Sequence, residues 1–261
     1  YNPEQYRNMQ HNALILKTAT LGDLLQLQAE ISPNKMFITT KGRSLTYQTT
    51  NFTVKALVNY FHQLGIQKGS KVALVSSTSM SAILVVLAAW RVGAVIVPLS
   101  TFLEPQDYFE QVSFVNASFI FFSSQWIEAH PSHSRELLKK FQRKAVILND
   151  NNFAGDIHQT LNIDEFITEE DVECTHINII EPQDAAAILF SSGSTSTPKA
   201  IVLTHLGIIY SAESRMRVLN TSIDSDNTVL AWLPLNNVMG LAVELVKTEL
   251  YPGETYTICP T

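Results

Sequence analysis

The sequence is short of three things. It has two cysteines, Cys174 and Cys259, in 261 residues. That excludes a small scaffold held by disulfides. Charged residues make up 16%, against about 25% in an ordinary soluble protein. With 46% apolar residues, this excludes an intrinsically disordered chain. An uninterrupted apolar run of membrane-spanning length is also missing. The most apolar stretch, Ala82 to Leu99, contains Arg91, Gly93 and Pro98. Its texture changes midway, from a helix-like run to one rich in β-branched residues. It therefore reads as a buried helix feeding a buried strand.

The net charge of −6 argues against a nucleic-acid partner, whose binder usually carries a basic face. Tyr1 to Lys17 lacks the basic–apolar–small order of an export signal. It also lacks an initiator Met, which suggests a piece of a longer chain. A cytoplasmic compartment with reduced thiols is expected, without membrane attachment.

What is present alternates. Leu21, Leu24, Leu25 and Leu27 predict a short amphipathic helix ending before Pro33. Met36 to Thr40 and Ser44 to Tyr47 predict a hairpin turning at Lys41-Gly42. A helix is expected from Thr49 to Leu64, stopped by Gly65. Helix–strand units then follow: Ser79–Val92 with Ala94–Val97, Pro105–Val115 with Ser118–Phe122, and Ser134–Arg143 with Ala145–Leu148. Lys71 to Ser76 is the strand that opens the series. Such a series predicts an α/β fold with a mostly parallel sheet covered by helices. Asn149 to Gln183 is polar and reads as a linker. Two regions are therefore expected, residues 1–183 and 184–261. The second holds strands at Ala185–Phe190, Ala200–Leu203, Thr228–Leu233 and Glu254–Cys259. It also holds helices beginning near His205 and spanning Val238 to Leu250.

The most informative segment is Ser191-Ser192-Gly193-Ser194-Thr195-Ser196-Thr197-Pro198-Lys199. Six of its nine residues carry hydroxyls, and it follows a buried strand. Hydroxyls, backbone N–H groups and an ammonium aimed at one place suit a phosphate. Gly193 and Lys199 have the spacing of a Walker A loop. Pro198 and Ala200 stand where that loop needs glycine and Ser/Thr, so a P-loop enzyme is excluded. Taken alone, the segment also fits a Ser/Thr-rich surface loop without a ligand.

The segment resembles the signature loop of the AMP-forming adenylating superfamily, which includes acyl-CoA synthetases and adenylation domains of nonribosomal peptide synthetases. Ser196 stands where glycine is more usual. Other segments resemble that family in the same order. They are Ser44-Leu45-Thr46-Tyr47, Leu64-Gly65-Ile66 with Gly69-Ser70-Lys71-Val72, Ala89 through Leu99, Lys199 through His205, and Trp232 through Leu241. The last form is similar to adenylation domains of hybrid polyketide–peptide assembly lines. The resemblance implies the N-terminal part of the adenylate-forming fold, with stacked, mostly parallel sheets.

It also implies the chemistry. A carboxylic acid and Mg²⁺·ATP would give acyl-AMP and pyrophosphate. The acyl group would then pass to a phosphopantetheine thiol, on CoA or a carrier protein. Ser191, Ser192, Gly193, Ser194, Thr195, Ser196 and Lys199 would hold the ATP phosphates. Asn237, Met239 and Gly240 would lie at the acid pocket, Asn237 standing where relatives carry His. Asn237 equally suits a helix cap. His205 is expected to pack or cap, and no metal site is read from His130 and His133. Trp90 and Trp126 are read as core or surface aromatics. The family's adenine segment, ribose Asp and lid Lys have no counterpart in these 261 residues, so no complete catalytic set is expected here. The remainder of the adenylation domain would be a partner, and the chain alone would be weak or inactive. A degenerate, non-catalytic module for protein–protein contact is the alternative.

Overall fold

Local capping sets the first elements. The computed structural model describes residues 19–149, 159–174, 178–191, 199–219, 228–246 and 255–258. Helix α1 (Leu21–Ile31) starts at Thr20, whose hydroxyl accepts the Asp23 N–H while the Asp23 carboxylate accepts the Thr20 N–H. This reciprocal pairing satisfies two otherwise orphaned donors. Strands β1 (Met36–Thr40) and β2 (Arg43–Thr46) form the expected hairpin. Helix α2 (Tyr47–Leu64) is capped by Thr46 and ends at Gly65, whose φ of 84° is left-handed. Helix α3 (Met80–Val92) is capped by Ser79 and buries every residue except Arg91.

The remaining elements are β3 (Lys71–Val75), β4 (Val95–Leu99), α4 (Pro105–Phe114), β5 (Phe119–Ser123), α5 (Ser124–Ala129), α6 (Pro131–Phe141) and β6 (Ala145–Asn149). They are followed by β7 (Gln159–Asn162), β8 (Ala185–Ser191), β9 (Lys199–Thr204), α7 (His205–Leu219), β10 (Thr228–Ala231) and β11 (Thr255–Ile258). One sheet runs β7-β6-β5-β3-β4-β8-β9 and is parallel except at β8–β9. The other runs β10-β11-β1-β2, with only β1–β2 antiparallel. The expected α/β class, with stacked and mostly parallel sheets, is what the chain forms.

Alternate residues of the larger sheet enter two cores. Val72, Leu74, Ile96 and Phe121 join α1–α3 and the four-stranded sheet in one. Ala73, Val75, Val97, Ile120 and Phe122 join α4–α6 in the other. A strand's side chains alternate faces, so a sheet covered on both sides reads as an unbroken apolar run. Trp90 is fully buried, and its Nε1–H donates to the Ala186 carbonyl at 3.1 Å. Trp126 donates to the Thr101 carbonyl at 3.0 Å. Both are core aromatics.

Three expectations need correction. The polar stretch 149–183 is not simply a linker. It supplies β7 and then straps across α2 and α3. Lys55 pairs with Asp171 at 2.6 Å, Lys68 beyond α2 donates to the Ile179 carbonyl at 2.9 Å, and Asn178 donates to the Val92 carbonyl. Nor do the two expected regions, 1–183 and 184–261, part at the sheet, since β8 pairs with β4. Finally, the helix expected at Ser134 begins at Pro131, and a short helix, α5, precedes it. Tyr1–Lys17 and Cys259 lie outside the described residues. Among the described residues, no helix is long and apolar enough to cross a membrane.

Candidate active site

Strands β8 and β9 form an antiparallel hairpin whose last paired residues are Ser191 and Lys199. Ser191 is half-buried and Lys199 exposed. The pairing holds the two ends of the hydroxyl-rich segment side by side, at the carboxyl end of a strand parallel to β4. In open α/β sheets that edge is where ligands bind. Of the expected phosphate-binding residues, Ser192, Gly193, Ser194, Thr195 and Ser196 lie outside the described residues.

The foot of the hairpin is fixed by His205. Its side chain is fully buried, and Nδ1 accepts the Leu21 N–H at 3.2 Å. Its backbone N–H donates to the Asp184 carbonyl. A ring nitrogen that accepts is unprotonated, so the proton sits on Nε2. Burial pushes the imidazole down to about 4, although Asp184 and Asp23 pull the other way. His205 is thus a neutral link between β9 and the start of α1, a structural role.

The Trp232–Gly240 segment reaches the same edge. The Thr78 hydroxyl, just beyond the carboxyl end of β3, donates to the Leu233 carbonyl at 3.3 Å. β3 and β8 both run parallel to β4, so Thr78 and Ser191 leave the sheet on one side. Trp232 is 72% exposed. Asn237 is exposed, and its Oδ1 accepts the Met239 N–H at 2.8 Å. The capping role is therefore formed, and it uses the Oδ1 of an exposed side chain, so the NH₂ donor is not spent on the cap.

Met239, half-buried, begins a seven-residue π-helix, Met239–Leu245, in place of the expected α-helix. Gly240 is buried. A Cβ there would lie 2.5 Å from the Pro234 carbonyl oxygen and 2.9 Å from that of Leu233. No side chain fits, so glycine lets the helix meet the Trp232–Leu235 turn backbone to backbone.

Glu244 is a residue that the sequence patterns do not single out. It is 9% exposed, and its Oε2 accepts the Leu233 N–H at 3.3 Å. Burial pushes its carboxyl above the ordinary range, and the Leu233 and Trp232 N–H groups oppose that rise. The available signal is one acid in the apolar run Met239 to Val246. Among the described residues, no three His, Cys, Asp or Glu side chains gather in a way that could hold a metal.

Residues 25–249 match the family described as AMP-binding enzyme. The chain belongs to that family. It is 25% identical over 216 residues to 4-coumarate–CoA ligase 3 of Arabidopsis thaliana, covering 82% of this chain and 37% of the relative. It is 26% identical over 188 residues to bacitracin synthase 2 of Bacillus licheniformis, covering 72% of this chain and 6% of that protein. Its fold matches O-succinylbenzoate coenzyme A synthetase from Bacillus subtilis, solved with AMP, at a TM-score of 0.72 and 20% identity. That match covers 93% of this chain and 44% of the other. The chain spans less than half the length of these family members.

Proposed function

We propose that this chain supplies the N-terminal part of an ATP-dependent carboxylic-acid adenylating enzyme. An acid carboxylate oxygen bonds to the α-phosphorus of ATP, and the bond from that phosphorus to the β-phosphate bridging oxygen breaks. The products are acyl-AMP and pyrophosphate. A thiol, on CoA or on a phosphopantetheine carrier protein, then displaces AMP to give a thioester. The relatives' names support CoA as one acceptor. The likeness to assembly-line adenylation domains supports the carrier protein.

The observation that carries this reading is the Ser191–Lys199 pair at the carboxyl edge, holding a hydroxyl-rich loop by both ends. The described donors fit a polyphosphate. Ser191 offers a hydroxyl, and Lys199 offers a solvent-facing cation. Ser192, Gly193, Ser194, Thr195 and Ser196 would complete the cradle. Fixed donors that meet charge as it develops on a leaving pyrophosphate lower the barrier. Mg²⁺ would arrive with ATP and neutralise part of the phosphate charge. Asn237, Met239 and Gly240 would stand on the acid side, with the Asn237 amide donating to the acid. The whole protein would work in the cytoplasm.

The test is acid-dependent exchange of labelled pyrophosphate into ATP. The whole protein should exchange, and these 261 residues alone should show little or none. A whole protein that binds no ATP by calorimetry would overturn the reading.

A further inference from the structure

We infer that Glu244 is a positioning residue for the acid side of the site, holding the Trp232–Asn237 turn by its backbone from beneath. This deepens the adenylation reading and rests on it for the nature of the ligand. The clamp itself rests on geometry.

Contacts from three residues converge on one short stretch of backbone. From one side, the Glu244 carboxylate accepts the Leu233 N–H at 3.3 Å, and the Trp232 N–H also favours its charged form. From the other, the Thr78 hydroxyl donates to the Leu233 carbonyl. Against the same stretch, Gly240 meets the Leu233 and Pro234 carbonyl oxygens with no room for a side chain. Gly240 and Glu244 are four residues apart, so one face of the helix carries both contacts.

The helix is wound to suit this. Met239–Leu245 is a π-helix, a form rare in proteins and frequent at functional sites. Leu241, Ala242 and Leu245 are fully buried within it, so hydrophobic burial alone would be served by an ordinary α-helix. A carboxylate held on backbone N–H groups makes stronger hydrogen bonds than a neutral acceptor. That strength is aimed at a turn whose outer face carries the exposed Trp232 and Asn237. Nearby, the Tyr256 hydroxyl is buried without a hydrogen-bond partner among the described residues and feels the Glu244 charge. The underside of the turn is thus more polar than its apolar surroundings require, while the outer face is left free.

The experiment has two arms. In the first, backbone amide proton shifts of Trp232 and Leu233 are followed by NMR against pH in the 261-residue chain. Both should move together with a midpoint above the ordinary carboxylate range, and the movement should vanish in Glu244→Gln. Amides that do not titrate, or that still titrate in Glu244→Gln, overturn the clamp. In the second, pyrophosphate exchange by the whole protein is compared for wild type, Glu244→Gln and Glu244→Ala. Glu244→Ala should raise the acid KM about tenfold with the ATP KM unchanged, the signature of a misplaced contact. Glu244→Gln, which keeps an acceptor oxygen, should recover most of the loss. Equal changes in both KM values, or none, overturn the positioning role. If the wild-type protein shows no exchange while the amides titrate as expected, the adenylation reading fails and the clamp stands.

Discussion

The two segments that meet at the carboxyl edge are built in opposite ways. The hairpin is anchored far from its working end, at His205, and it runs along an edge strand with Ile201 and Val202 exposed. Under the proposed function its chemistry would lie in side chains: hydroxyls and one ammonium. The Trp232–Gly240 turn is anchored directly beneath its working face by Glu244, Thr78 and Gly240. Its shape lies in backbone contacts. A phosphate grip works through the charge and hydroxyls of its side chains. A surface that must choose among acids needs its groups already in place. Under the proposed function, the contrast follows what each segment would recognise.

The sharpest way to break this contrast is Lys199→Ala. If the hairpin works through its cation, pyrophosphate exchange by the whole protein should fall about a hundredfold, as when one fixed donor to developing charge is lost. The melting temperature should barely move, because Lys199 is exposed. A change below about threefold in a charge-stabilising role of this kind would remove Lys199 from the site.

The hairpin's foot is tested by acid. His205 binds its proton near 4 when folded, against 6.5 when free. The unfolded chain therefore holds more protons between those values. Its contribution is complete above pH 6.5 and falls as pH drops through about 4. The loss should reach roughly 3 kcal/mol, because each tenfold difference in proton affinity between folded and unfolded chains is worth about 1.36 kcal/mol. Urea unfolding at several pH values should show wild-type stability sinking relative to His205→Gln across that window. Parallel curves would refute it.

On the acid side, Gly240→Ala should cost about 2 kcal/mol, the usual penalty of overpacking. Urea midpoints report this directly, and an unchanged midpoint would mean that the turn tolerates the added methyl. The smallest effect should come from Asn237→Ala. Loss of a cap costs about 1 kcal/mol, measured by thermal melts. Loss of the amide donor should raise the acid KM more than the ATP KM. If only stability changes, Asn237 is a cap and nothing more.

Much of the fold is legible in the sequence, and the reason is local. Gly65 and Gly93 stop helices because left-handed backbone favours glycine, with φ of 84° and 80°. The strands β3 to β6 are visible as apolar runs because both faces of the sheet are covered. β7 escapes notice because an edge strand pairs through its backbone and buries only Leu161. Membership of β8 in the first sheet is a distant pairing, Ile96 with Ala187, which no short window carries. The hydroxyl-rich segment 191–199 stands out in the sequence because its pattern is one of side chains, six hydroxyls and one lysine in nine residues. The clamp under Trp232 does not, because an apolar run serves a π-helix and an α-helix equally. What separates the two is the tertiary reach of Glu244 and the tight fit at Gly240.

The two sheets differ in when they can be completed. In the larger sheet, β3 to β6 come from one nearly continuous stretch, so these strands can pair soon after they are made. The smaller sheet places β1 beside β11, and the Thr255 hydroxyl donates to the Met36 carbonyl across 219 positions. Closing so long a loop is slow relative to local pairing. On a ribosome the β1–β2 hairpin therefore waits with one side unpaired while the rest of the chain is synthesised. Strands made before the larger sheet are among the last to be sealed, and a chaperone acting on this nascent chain would find its target at the β1–β2 hairpin.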